Sequence, residues 1–167
     1  MLKKLFCVII CAAMLCGITG CGVIKINYDS TSSTDDVRYF PSRASREMFY
    51  SIQRYLKKGN AEALSELFAE DYSTSIDEVQ DALNFIDGKI LSFDKERLHT
   101  DGGKKREGKY TYYSYGGSFY AITDNGKRYL IDFAGCVVDD ETPGNVGLEH
   151  IRIWDDPNEN PKIILGF

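Results

Sequence analysis

Ser118-Phe119-Tyr120-Ala121-Ile122-Thr123, then Asp124-Asn125-Gly126, then Lys127-Arg128-Tyr129-Leu130-Ile131-Asp132-Phe133 reads as two strands joined by a tight turn. β-branched and aromatic residues fill both runs, and Asn-Gly is a strong hairpin signal because a two-residue type I′ loop needs positive φ at both positions. With Asn125-Gly126 as that loop, Ile122 faces Tyr129, Tyr120 faces Ile131 and Phe119 faces Asp132. One face of the sheet then carries Tyr120, Ile122, Tyr129, Ile131, Phe133 and Val137. The other carries Phe119, Ala121, Arg128, Leu130, Asp132, Ala134 and Cys136.

Strand patterns extend on both sides. Lys89–Leu98, Lys109–Tyr115, Ser118–Thr123, Lys127–Val138 and Val146–Trp154 are separated by Asp101-Gly102-Gly103, Asp124-Asn125-Gly126 and the loop from Asp139 to Asn145. In the last run Ile151 and Ile153 alternate with His150, Arg152 and Trp154. Matching apolar sets puts Ile151 and Ile153 on the first face, and Asp132 beside Arg152 on the second. A slip of one residue would reverse these assignments. Gly116-Gly117 reads either as a hairpin turn or as a bulge within one long strand, with opposite parity.

Ahead of the strands the period is helical. Met48, Phe49, Ile52, Tyr55 and Leu56 mark a helix over about 42–58, stopped by Gly59-Asn60. Asn60 can cap a second helix carrying Ala63, Leu64, Leu67 and Phe68. Ser75-Ile76-Asp77-Glu78 is a capping box opening a third, through Val79, Ala82, Leu83 and Ile86 to Gly88. Three helices followed by an antiparallel meander predict an α+β fold with the helices packed on the sheet.

The beginning of the chain has a different character. Lys3-Lys4 precede an apolar run, Leu5 to Leu15, that is shorter than the roughly 20 residues a membrane span needs. It ends in Ile18-Thr19-Gly20-Cys21, which resembles the lipobox of bacterial lipoproteins. That resemblance implies cleavage before Cys21, lipidation of its thiol and an anchor on the extracytoplasmic face of a membrane. Two acyl chains would make attachment effectively permanent. The predicted organisation is a signal peptide over 1–20, the lipidated cysteine and a flexible Ser/Thr/Asp-rich tether over 21–41, and a folded domain over 42–167. Val23-Ile24-Lys25-Ile26 fits a short strand within the tether.

The chain of 167 residues has a net charge of −5, and Lys3 and Lys4 are the only charged side chains of the leader, so its removal takes the charge to −7. Such a body repels phosphate backbones, which argues against nucleic acid as a partner. Of five cysteines, Cys7, Cys11 and Cys16 leave with the leader and Cys21 takes lipid. Cys136 remains, and reads as a buried apolar residue rather than a reactive thiol.

Three helices and a curved antiparallel sheet of this length resemble the nuclear-transport-factor-2-like superfamily. The runs Asn84-Phe85-Ile86-Asp87-Gly88-Lys89-Ile90, Tyr129-Leu130-Ile131-Asp132-Phe133 and Val146-Gly147-Leu148 resemble an uncharacterised family of lipoproteins from Gram-positive bacteria. The likeness covers roughly Ser42 to Trp154. It implies a cone in which the sheet wraps the helices around an apolar pocket, and enzymes with that fold place an Asp, often with a Tyr or His, inside the cone. Such cones serve enzymes, binding modules and dimerisation domains alike.

The candidate pocket lining is Tyr120, Tyr129, Ile131, Phe133 and Ile151, and the alternative polar site is Asp132, His150 and Arg152. Parity places Asp132 and His150 away from the apolar face, where a water-excluded general base would have to sit. His99 and His150 lack a second ligand at metal spacing, and Asp139-Asp140-Glu141 and Asp155-Asp156 lack the alternation of a calcium loop, so neither metal nor cofactor is expected. Lys104-Lys105-Arg106 is a short basic run in a turn, too small to predict nucleic-acid or lipid binding, and the net acidity predicts a body held off an anionic lipid surface. The leading expectation is a non-catalytic binding module for a small apolar ligand or a protein partner. A pocket enzyme using Asp132 is the second reading. A self-associating domain, a homodimer through Phe119, Leu130 and Trp154, is the third.

Overall fold

The computed structural model describes residues 34–166. The leader, Cys21 and the Val23–Ile26 patch lie outside the described residues. Among the described residues four α-helices precede the sheet: α1 (Thr34–Tyr39), α2 (Pro41–Lys58), α3 (Ala61–Ser65) and α4 (Ile76–Phe85). Five strands follow in the spatial order of the sequence, every neighbouring pair antiparallel: β1 (Ile90–Arg106), β2 (Lys109–Thr123), β3 (Arg128–Asp139), β4 (Gly147–Trp154) and β5 (Ile163–Leu165). The α+β expectation therefore stands, with the helices N-terminal to an open sheet. Two details differ. Thr34–Tyr39, assigned to the tether, is helical, and β5 was not foreseen.

The helix boundaries follow local chemistry. Pro41 starts α2, where its missing N–H costs nothing. Gly59 closes it in the left-handed conformation at φ 63°. The Asn60 side chain accepts from the Ala63 amide at 3.0 Å. At α4 the Ser75 hydroxyl accepts from the Glu78 amide, while the Glu78 carboxylate accepts from the Ser75 amide at 2.8 Å. Those hydrogen bonds hold the Glu78 carboxyl below its ordinary range. Ser75→Ala should lower stability by about 1 kcal/mol, read as a smaller denaturation midpoint at constant m-value.

The hairpin that decides the fold has a three-residue loop. Gly126 sits at φ 81° and Asn125 does not have positive φ. The Thr123 amide donates to the Lys127 carbonyl and the Gly126 amide to the Thr123 carbonyl, both at 3.0 Å. Ala121 therefore pairs with Tyr129, Tyr120 with Leu130 and Phe119 with Ile131, one residue away from the two-residue register. On β2 the faces exchange: Phe119 and Ala121 are fully buried, while Tyr120 and Ile122 turn outward. Tyr120 is thus not a lining residue of the interior, and Phe119 cannot belong to an outer interface.

Of the glycine pairs in the same region, Gly102-Gly103 does not break the strands as expected, while Gly116-Gly117 follows the alternative of one long strand. Gly102-Gly103 lies inside β1 and Gly116-Gly117 inside β2, which has its irregularity at Tyr113/Ser114 instead. The actual β1–β2 turn is Glu107-Gly108, with φ of 51° and 81°, the two-residue geometry first assigned to Asn125-Gly126. Register shifts at four places along β1 bend that strand as it follows β2.

The core lies between the helices and the inner sheet face. Met48, Phe49, Ile52 and Leu56 of α2, with Leu64, Val79 and Ala82, meet Phe119, Tyr129, Ile131, Phe133, Ile151 and Ile153. Phe133 lies 5.7 Å from Phe49, 6.2 Å from Phe119 and 6.3 Å from Tyr115, centroid to centroid, so aromatic rings occupy the space beneath the sheet.

Candidate functional site on the outer face of the sheet

Side chains alternate along a strand, so the register that buries Phe119, Ile131 and Ile153 fixes their neighbours on the opposite face. Three rows cross β1 to β4 there: Asp94, Tyr120, Leu130, Trp154; then Arg97, Ser118, Asp132, Arg152; then His99, Gly116, Ala134, His150. Tyr120, Leu130, Asp132, His150, Arg152 and Trp154 are all half-buried.

The first row is aromatic and capped by cations. Arg128 stacks 4.4 Å from the Tyr120 ring centroid, Lys95 approaches the same ring at 5.6 Å, and Arg152 lies 5.7 Å from the Trp154 ring. Asp94 holds Arg128 at 3.1 Å. The second row is an ion-pair centre. Arg152 Nε donates to Asp132 Oδ1 at 3.0 Å, Nη2 donates to the same oxygen, and His150 Nε2 stands 3.6 Å from it. The pairing of Asp132 with Arg152 is the one the sequence parity predicts. In the third row Gly116 and Ala134 form a low floor between the chain's two histidines. His99 Nε2 pairs with Asp101 Oδ1 at 2.9 Å, and both side chains lie over Gly116, whose added Cβ would sit 2.7 Å from Asp101 Oδ2.

Burial pushes the Asp132 carboxyl up, but His150 and the Arg152 guanidinium outweigh it and hold the group below its ordinary value of 3.8. A carboxylate held that way is a poor proton acceptor near neutral pH, where a general base needs a raised pKa. The sign for stability follows: with a depressed folded pKa, the contribution of Asp132 is complete above the unfolded value and is lost as pH falls through the folded one. Acid unfolding of Asp132→Asn should therefore begin from lower stability at neutral pH and fall less steeply below about pH 4, as followed by circular dichroism.

The remaining candidates are interior. Tyr129, Ile131, Phe133 and Ile151 are buried in the core, and the Tyr129 hydroxyl accepts from the Asp87 amide at 3.0 Å. Two surface grooves, of about 430 Å³ beside Val37, Val137 and Val146 and about 300 Å³ between Leu56, Leu83 and Ile90, do not reach them. Among the described residues no three His, Cys, Asp or Glu side chains could hold a metal ion. Asp139 instead accepts from the amides of Glu141 and Thr142 and from Asn145. Cys136 is buried, its thiol donating toward the Val138 and Tyr113 carbonyls, and burial raises its pKa.

Sequence reasoning missed the Tyr120–Arg128–Asp94 cluster, because its parity depended on one turn residue. Asp124 and Lys89, whose backbones and side chain interlock, held the missing signal.

Together these features define an α+β domain with a packed interior and a polar, aromatic outer sheet face. The chain belongs to the family described as "Domain of unknown function (DUF5104)", whose model matches residues 51–156. No curated protein matches the sequence.

Proposed function

We propose that this chain is a bacterial lipoprotein, lipidated on Cys21 and held at the extracytoplasmic face of the cell membrane, whose domain binds a protein partner through the outer face of its sheet. The observation that carries the binding reading is the contrast between the two faces. Interdigitated rings fill the inner one, which leaves little room for a small apolar ligand. The outer one presents half-buried Tyr120 and Trp154 beneath arginines. Tyrosine, tryptophan and arginine supply most of the energy where proteins meet, because they bury large area and still satisfy a polar tip. Asp132 faces outward and is engaged by Arg152, which disfavours a pocket enzyme built on it.

The helix-then-sheet order and the bulges that bend β1 support reading the domain as nuclear-transport-factor-2-like. The anchor rests on the Lys3-Lys4 charge, the short apolar run and Ile18-Thr19-Gly20-Cys21. No helix among the described residues is long and apolar enough to cross a membrane.

Two measurements test the proposal. Mass spectrometry of the mature protein should find a diacylated Cys21 at the N-terminus, and Cys21→Ser should abolish processing and the membrane retention that survives a high-salt wash. Unchanged retention would remove the anchor. A photo-crosslinking residue placed at Tyr120 in whole cells should give a discrete adduct absent when it is placed at Tyr50, an exposed position on α2. Identical patterns from the two positions would refute the outer-face assignment.

A further inference from the structure

The tip of the β1–β2 hairpin concentrates the opposite charge to the rest of the molecule. Lys104, Lys105 and Arg106 enter the turn and Lys109 leaves it, against the single carboxylate of Glu107. Residues 103–108 are all exposed. Aromatic rings underlie three of the cations: Lys105 Nζ lies 4.4 Å from the Tyr110 ring centroid, Lys104 Nζ 5.8 Å from Tyr112, and Lys109 Nζ 5.3 Å from Tyr39. Tyr39 closes α1 and is 48% exposed, and Phe40 after it is 65% exposed. The hairpin tip and the N-terminal end of the domain therefore form one continuous basic and aromatic surface. Of the acids beside the tip, Asp140 pairs with Arg38 at 2.6 Å, and Asp139 accepts from loop amides while also feeling the Lys104 charge.

We propose that this surface seats the domain on an anionic phospholipid bilayer. The inference deepens the lipoprotein reading and rests on it for one point, that the α1 end is the end nearest the membrane. Twelve residues separate Cys21 from Thr34, a reach of at most about 45 Å, so the tether delivers Tyr39, Phe40 and the hairpin tip to the headgroups. Tyrosines with a polar tip suit the headgroup level, and lysine and arginine attract anionic lipid there. The overall acidity does not cancel this attraction. The other end of β2, beside Asp124, is about 45 Å from the tip along the strand, several times the roughly 8 Å screening length at physiological salt. A nucleic-acid partner would bring phosphate along the acidic flanks of the body, whereas a flat bilayer meets only the tip.

The test uses the mature chain from position 21 to 167 with Cys21→Ser, which removes the acyl chains and keeps the core found among the described residues, Val37 to Leu165. Sedimentation with phosphatidylcholine vesicles should show little binding, and addition of phosphatidylglycerol should produce binding that weakens with salt. Replacing Lys104, Lys105 and Arg106 by Gln should weaken it about a hundredfold, at about fivefold per cation, with the circular dichroism spectrum unchanged. For the acylated protein in vesicles of brominated lipid, Tyr110→Trp should introduce quenching that the native Trp154, far along the sheet, does not show. Equal binding to both vesicle types, no binding to either, or full binding by the Gln variant would overturn the proposal. So would competition by free glycerol phosphate at the same affinity, which would make the tip a simple anion site. Because the sedimentation steps use protein without acyl chains, failure of the anchor shows separately, as an unmodified or uncleaved terminus at Cys21 by mass spectrometry of the mature protein.

Discussion

Phe133→Ala should be the most damaging single truncation in the domain, lowering stability by about 3–5 kcal/mol. The side chain is 1% exposed and lies at the centre of a cluster with Phe49, Tyr115 and Phe119. Removing the ring forfeits its transfer energy and leaves a cavity whose walls belong to a helix and two strands that cannot close in together. Against a typical total of 5–15 kcal/mol, that loss lowers the melting temperature by on the order of 10–20 °C. It also probes what the interior is for. A dry apolar cavity of this kind takes up benzene, so benzene should raise the melting temperature of the variant and leave the parent chain unmoved. A loss below about 1 kcal/mol would mean that the interior is loosely filled, and would revive the apolar-pocket reading.

Gly117→Ala should cost about 3 kcal/mol by overpacking, although Ala is the smallest change available. A Cβ there would lie 2.5 Å from Phe133 Cζ and 2.6 Å from the Arg97 carbonyl oxygen. A ring can swing aside. A carbonyl on a neighbouring strand moves only if β1 separates from β2. Gly108→Ala provides the contrast, because that position is open and the substitution meets only the strain of positive φ, about 1 kcal/mol. The two large effects are coupled. With Phe133 already truncated, the new methyl group meets only the Arg97 carbonyl, so the double variant should lose less than the two single losses combined. Additive losses would show that the ring contact is not what excludes a side chain at position 117.

The helices were legible because their signals are local. Asn60, Ser75 with Glu78, and Gly59 each act within one turn of chain, and each does in the structure what its sequence context predicts. The pairing of Asp132 with Arg152 was also legible, since β3 and β4 take their relative parity from matched apolar sets. The register of β2 was not. Asn-Gly serves both two-residue and three-residue loops, and the choice is made by contacts far away in sequence. Asp124 Oδ1 accepts from the Lys89 amide, the Asp124 amide donates to the Lys89 carbonyl, and Asn125 Nδ2 donates to the Asp87 carbonyl. These bonds draw Asp124 into the loop, and one residue of slip moved Tyr120 from the interior to the outer face. Gly102-Gly103 misled for a related reason. Tyrosine rings from β2 cover those glycines, with Tyr110 Cε1 3.0 Å from a Cβ added at Gly103, so a strand continues where composition suggests a break.

The irregular course of β1 carries a further consequence. It is the long outer strand of an open sheet, and a straight, apolar strand in that place would invite a neighbouring molecule to zip onto it. Lipid anchoring would make that hazard acute, since molecules confined to a plane meet far more often than molecules in solution. Its repeated register shifts, the left-handed Lys95, the charged run Asp94-Lys95-Glu96-Arg97 and the Lys57 ammonium on the Leu91 carbonyl break the template that polymerisation would need. A crowded film of this protein should stay a population of separate molecules.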